Sequence, residues 1–326
     1  MDDQAKLASK ILVLDSDTSC HEKIKEFCDS NGLVGLKVQP DNAMAVLRSN
    51  VDLGGIILSE NYGGKEHGGW LMARKIHNIR AELPIFLRRD SVSSLEGIPE
   101  DDRAALSAAF TIGEIDNLRS ILDEFIFSLS YPNALVRGIT EMTKTALESQ
   151  FKDLEIETAT PYIVRDRLIY GEIFTLIPLE AHWCRGYMMF QTEEIPLLEL
   201  VKSDKTHIRP AEGFDFRNLN SVLGEITNLV WGAFKNRYVA TDRPPTSWAL
   251  SQVPIIINHL HRYISFGSEN PQLCFKYTVV DKSKKDGAPL VLYQKFVFNL
   301  SWSPDDFKEN ETSVEDLVSS GELDLF

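Results

Sequence analysis

The sequence predicts two folded units in series: an α/β doubly wound five-stranded parallel sheet, then an α+β unit with an antiparallel sheet. Three observations predict this. The chain has 326 residues, which is long for one average domain and suits two. Up to about residue 130, short continuous apolar runs alternate with stretches of helical periodicity, the pattern of parallel strands covered on both faces. Beyond that point the apolar segments lengthen and partly alternate in polarity, as antiparallel strands with one packed face do.

The elements follow in order. KILVLDSD opens with the apolar run Ile11–Leu14 and closes in acidic residues. Further buried-strand candidates are Leu36–Val38, Gly55–Leu58, Ile85–Leu87 and Ala109–Ile112. Between them CHEKIKEFC, NAMAVLRS, WLMARKIHN and DRAALSAA have helical patterns. EIDNLRSILDEFIFSLS closes the set, with Leu118, Ile121, Leu122, Phe125 and Ile126 at helical spacing. A doubly wound sheet of this kind carries its site at the carboxyl ends of the strands. SYPNAL, with Pro132, breaks the helical pattern and marks a boundary. VRGITEMTKTALESQF then reads as a helix, and LEIETA, PYIVRDRLIYGEIFTLIPL and CRGYMMFQTE as strands. After a central helix come SWALSQVPIIINH, RYISFGS, QLCFKYTVVD and LVLYQKFVFNLSW, also strand-like. The expected units are residues 1–130, residues 131–302 and an acidic tail, 303–326.

Composition narrows the function classes. The formal net charge is −14, concentrated in the first unit and in the tail, so the basic footprint needed for nucleic-acid backbones is missing. No apolar run reaches the roughly 18 residues of a membrane span, and the polar start MDDQAKLASK is unlike a secretory signal. Cys20, Cys28, Cys184 and Cys274 lie far apart with no CxxC pair, as expected for buried thiols in a reduced, cytoplasmic protein. The tail is expected to be disordered; its Val314, Leu317, Val318 and Leu323 offer the alternative of a short amphipathic helix on a partner.

The first unit, with acids closing its first strand and a glycine-rich loop after its third, resembles the receiver domain of two-component response regulators over about residues 8–130. The resemblance implies a phosphorylation site whose chemistry has been lost. A receiver's first strand ends in an acidic pair that holds magnesium; here Asp15 and Ser16 stand there, followed by Asp17. The phosphorylated aspartate falls on Ser59, with Glu60 next. The receiver's serine or threonine falls on Arg88 or Arg89, and its lysine on Ile112 or Gly113. A serine hydroxyl cannot form the acyl phosphate that a kinase makes on a carboxylate, and no lysine remains to hold phosphoryl oxygens. The unit reads as a pseudo-receiver, with GGKEHGG at 63–69 as a mobile loop over the lapsed site. Glu60 or Asp17 as a displaced acceptor is the alternative.

In the second unit, SVLGEITNLVWGAFKN places Ser221, Glu225, Asn228 and Gly232 in a band of about 60° on a helical wheel. Val222, Ile226, Leu229, Val230 and Ala233 form the apolar arc expected to face the sheet. Pro254 enters a later strand. A Glu–Asn pair three apart is common on solvated helices; the apolar flanks and a glycine with no helical advantage set this one apart. Together these residues resemble the signature of the CheC/CheX/FliY chemotaxis phosphatases: Ser or Asp, Glu four later, Asn three after that, then a downstream Pro. The motif occurs once, as in CheX.

The resemblance implies a phosphatase acting on aspartyl phosphate of a partner receiver of the phospho-CheY type. Asn228 is expected to position the attacking water, since a carboxamide donates and accepts without adding negative charge. Glu225 would pair with the partner's lysine, while Ser221, Gly232 and Pro254 contribute to docking. The Mg²⁺ would come with the partner, so the chain is expected to carry no metal of its own. Some family members dimerise through sheet edges, which makes a homodimer an expectation by resemblance. The alternative is a two-component adaptor that binds receivers without hydrolysis. The pseudo-receiver is expected either to cover the 225–232 helix as an inhibitor or to recruit partners. His259 and His261 lie two apart on a strand, but lack a third ligand and read as a structural or exposed pair. Tyr187, Phe190, Phe275 and Phe298 read as core.

Overall fold

The computed structural model describes residues 5–49, 52–208, 216–239, 253–259, 270–283 and 288–309; the side chains of 299–300 are outside that description. His261 and most of the acidic tail therefore lie outside the described residues.

The first five strands are β1 (Ala8–Leu14), β2 (Leu33–Lys37), β3 (Leu53–Ser59), β4 (Ile85–Arg89) and β5 (Ala108–Thr111). Neighbours pair in parallel in the order β2-β1-β3-β4-β5. Alternation along each strand splits the core in two. Ile11, Val13, Ile57 and Phe86 face α1 (Thr18–Ser30), while Leu12, Leu14, Ile56 and Leu58 join the core of α2 (Ala43–Ser49) and α3 (Gly68–His77). With both faces covered, continuous apolar runs are what such strands require. The DRAALSAA segment departs from expectation. Only Glu100–Arg103 forms α4, because the chain must turn at Ala105–Leu106, both buried, to deliver β5. EIDNLRSILDEFIFSLS is likewise shorter as a helix: a 3₁₀ segment, Ile112–Asn117, precedes α5 (Leu118–Phe125).

Pro132 directly precedes α6 (Asn133–Gln150), where a proline costs the helix no donor. The strands that follow are β6 (Glu155–Thr158), β7 (Tyr162–Val164), β8 (Ile173–Glu180), β9 (Cys184–Thr192), β10 (Ile255–Asn258), β11 (Gln272–Val280) and β12 (Leu290–Trp302). All pairings among them are antiparallel. Helix α7 (Glu194–Lys202) was not foreseen; its Leu197 and Val201, four apart and buried, are the signal in the sequence. The long helix is α8 (Phe216–Tyr238).

The two sheets are one. β7 pairs antiparallel with β11 and parallel with β1, giving a 12-stranded mixed sheet in the order β10-β8-β9-β12-β11-β7-β1-β3-β4-β5, with β2 on β1 and β6 on β11. No helix among the described residues is long and apolar enough to cross a membrane.

Candidate functional site

Helix α8 lies on the sheet with Leu219, Val222, Leu223, Ile226, Val230 and Phe234 buried beneath it. These positions centre on the side opposite the Ser221–Glu225–Asn228–Gly232 stripe, at 100° per residue. The rotational setting is pinned. Thr227, fully buried, donates to the Leu223 carbonyl at 2.7 Å and meets the Thr175 hydroxyl of β8 at 2.8 Å. At the far end Trp183 Nε1 donates to the Tyr238 carbonyl at 3.0 Å, and Tyr238 Oη donates to the Ala134 carbonyl of α6 at 2.9 Å. Gly138 makes that second bond possible, since a Cβ there would lie 1.8 Å from the Tyr238 oxygen.

The consequence is an outward-facing stripe. Ser221, Glu225 and Asn228 are all exposed. Ser221 Oγ donates back to the Arg217 carbonyl at 3.0 Å. The side chains of Glu225 and Asn228 make no hydrogen bond or ion pair with any described residue. A Cβ on Gly232 would meet nothing within 4 Å, so its bareness serves no internal packing. Gly224 flanks the stripe, where a Cβ would sit 3.4 Å from Ile256 of β10. Pro254 stands one residue before that strand, half-buried. A carboxylate, a carboxamide and a bare backbone patch thus share one rigid, accessible helix face.

The first unit holds a second cluster at the carboxyl ends of β1, β3 and β4. Asp15 is buried at the end of β1 and Ser59 at the end of β3. Arg88 and Arg89 are the last two residues of β4, both buried, rather than loop residues beyond it. The Arg88 guanidinium donates to both Asp15 carboxylate oxygens, to Ser59 Oγ at 3.0 Å and to Asp90 Oδ1 at 2.8 Å. Burial alone would lower its pKa; the hydrogen bonds and charge of Asp15 override this and push it up. A fixed cation therefore occupies the ground between the acid of the first strand and the serine of the third. Composition and spacing did not reveal this role; the buried RR pair closing an apolar strand is the signal that was available.

The other expected residues there divide. Asp17 is exposed and caps α1, accepting from the Ser19 backbone N–H and hydroxyl, which lower its pKa. Ser16 is exposed. Glu60 is buried, accepts from Arg89 at 3.1 Å and lies 3.7 Å from His67, so its charge is already compensated. Ile112 and Gly113 begin the 3₁₀ segment after β5. Tyr62–Gly64 form a 3₁₀ turn and Gly68–Gly69 start α3, with a Cβ on Gly69 falling 2.2 Å from the Ser59 carbonyl.

The covering-inhibitor expectation fails. The first unit joins the sheet at β7, with β11, β12, β9 and β8 between it and the β10 edge beside α8, and Glu225 and Asn228 stay open. Among the described residues no group of three or more His, Cys, Asp or Glu could hold a metal ion; His259 packs near Phe174. Phe190, Phe275 and Phe298 are core, whereas Tyr187 is half-buried. All four thiols are free and buried, and burial pushes Cys28 up to about 11 and Cys184 and Cys274 up to about 12.

No protein-family model matches the chain, and no curated protein matches it. Solved structures do. A chemotaxis protein CheX from Desulfovibrio desulfuricans is 13% identical, covering 50% of this chain and 99% of that one, with a TM-score of 0.35. A chemotaxis protein CheX from Vibrio vulnificus is 20% identical, covering 50% and 98%, with a TM-score of 0.32. A two-component response regulator from Clostridium difficile is 19% identical, covering 36% and 94%, with a TM-score of 0.31.

Proposed function

We propose that this protein dephosphorylates the aspartyl phosphate of a partner response-regulator receiver, within chemotaxis or a related two-component pathway. The observation that carries the reading is the α8 face, where Glu225 and Asn228 are exposed, in line and without side-chain partners among the described residues, beside a Gly232 open to approach. An aspartyl phosphate is already activated. Its hydrolysis is limited by placing water in line with the leaving carboxylate. Asn228 accepts a hydrogen bond from that water through its carbonyl oxygen, holding it in line without bringing negative charge to the phosphoryl group. Glu225 meets the cationic side chain of the partner's pocket, fixing the docking register. Magnesium chemistry belongs to the partner, where the metal would neutralise the phosphoryl oxygens.

The first unit takes no part as a substrate: Ser59 stands at the acceptor position and Arg88 fills its surroundings. The test is phosphate release from receivers preloaded with a small acyl-phosphate donor, with and without catalytic amounts of this chain. The proposal predicts that the chain accelerates release. Tight binding of the phosphorylated receiver without acceleration would instead establish an adaptor.

A further inference from the structure

We infer that the receiver-like unit is welded to the second unit as a permanent end-piece of its sheet, so that the two open only together, and that α8 consequently serves a molecule arriving from outside. Three independent sets of contacts carry the weld. The first is backbone: β1 pairs with β7 at Ala8↔Tyr162 and Ser9↔Ile163, just where β3 leaves off. A register shift lies between Lys10 and Ile11, which pair with Leu53 and Gly55 and leave Gly54 as the extra residue. A Cβ on Gly54 would fall 1.9 Å from Ser9 Oγ, the same hydroxyl that donates to the Ile163 carbonyl at 2.7 Å. Arg165 N continues the seam by donating to the Leu53 carbonyl at 2.9 Å.

The second set is a charge quartet sealed from water. Asp166, after β7, accepts from Arg80 of the first unit at 3.1 Å and from Lys295 of β12 at 3.0 Å, with all three side chains at 0% exposure. Arg80 also pairs with the buried Glu82, so two cations face two anions. Burial raises the Asp166 pKa, and the charges of Lys295 and Arg80 offset only part of that rise. Separating the units would strand Asp166 and Lys295 away from Arg80. Breaking a buried pair is strongly unfavourable even where forming it gains little. The third set repeats this logic nearer the surface: Lys10 pairs with Asp52, and Tyr162 Oη of the second unit donates to the same carboxylate at 3.2 Å.

The weld stands on these contacts alone; only the statement about α8 rests on the proposed function. It also leaves the receiver-like unit no hinge by which to reach α8. The test is native-state hydrogen exchange on the full chain under rising denaturant. It follows the Arg165 amide at the seam together with core amides of β3 and of β12. Expected is a common opening midpoint for all three. Asp166→Asn should lower the thermal midpoint of both units equally, by roughly 10 °C. Tyr162→Phe, which removes one hydroxyl and keeps the fold, should shift all three amides by the same small amount even if Asp166→Asn yields no folded protein. Exchange at Arg165 through an opening that leaves both cores closed would overturn the weld. So would a Tyr162→Phe effect confined to one unit. No phosphate measurement enters, so this result and the fate of the proposed activity are separable.

Discussion

At the scale of single residues, two clusters of similar chemistry have opposite fates. Asn228 and Glu225 hold their hydrogen-bonding capacity in reserve, facing water on α8. Asp15 and Ser59 have theirs consumed by Arg88. The first pair was legible in the sequence because exposure follows from helical spacing alone. The second was legible only as a loss: spacing located Asp15, Ser59 and Arg88, but which side chain fills a site depends on contacts between strands far apart in the chain. Removing the guanidinium leaves Asp15 buried without a cation, holding only the Asp17 backbone N–H, so Arg88→Met should destabilise the fold by about 3–5 kcal/mol in denaturant titrations. Gly232 separates stability from docking. Its Cβ position is empty, so Gly232→Ala should raise stability by up to about 1 kcal/mol, while a bulky Gly232→Leu should weaken receiver binding with the fold intact.

At the scale of elements, the rotational setting of α8 is fixed by its contacts. The Thr227–Thr175 contact and the Trp183 and Tyr238 bonds fix which stripe faces outward. Periodicity identified this helix and its apolar arc, and alternating continuous runs identified the first strands. Where reading failed, the causes were local. DRAALSAA has the composition of a helix, yet the turn into β5 limits α4 to Glu100–Arg103. Gly68 and Gly69 look like loop residues, yet they begin α3 because only glycine can sit against the Tyr62 and Ser59 carbonyls. Gly69→Ala, whose methyl would fall 2.2 Å from the Ser59 carbonyl oxygen, should therefore cost about 1–3 kcal/mol, measured as a lowered unfolding midpoint.

At the scale of the whole molecule, the continuous sheet is the feature no reading of segments supplied. Tyr162–Val164 is three residues long and has pairing partners on both sides, one of them about 150 positions earlier in the chain; nothing in its own composition names that partner. Asp166 and Lys295 fall inside strand candidates with nothing to mark them, and only the assembled fold makes them part of one buried quartet. Burial of all four thiols on this scale predicts that a thiol reagent at pH 8 labels none in the native chain and all four after denaturation. Three of them are pushed to about 11 or 12, well above that pH, so the reactive thiolate is scarce.

The water-positioning role of Asn228 is tested most directly by Asn228→Ala, assayed by phosphate release from a phosphorylated receiver against the unaltered chain. Loss of a water-positioning carboxamide should cut the rate about 10²–10⁴-fold, roughly 3–5 kcal/mol of barrier, with the unfolding midpoint unmoved. Equal release by the two proteins would contradict it.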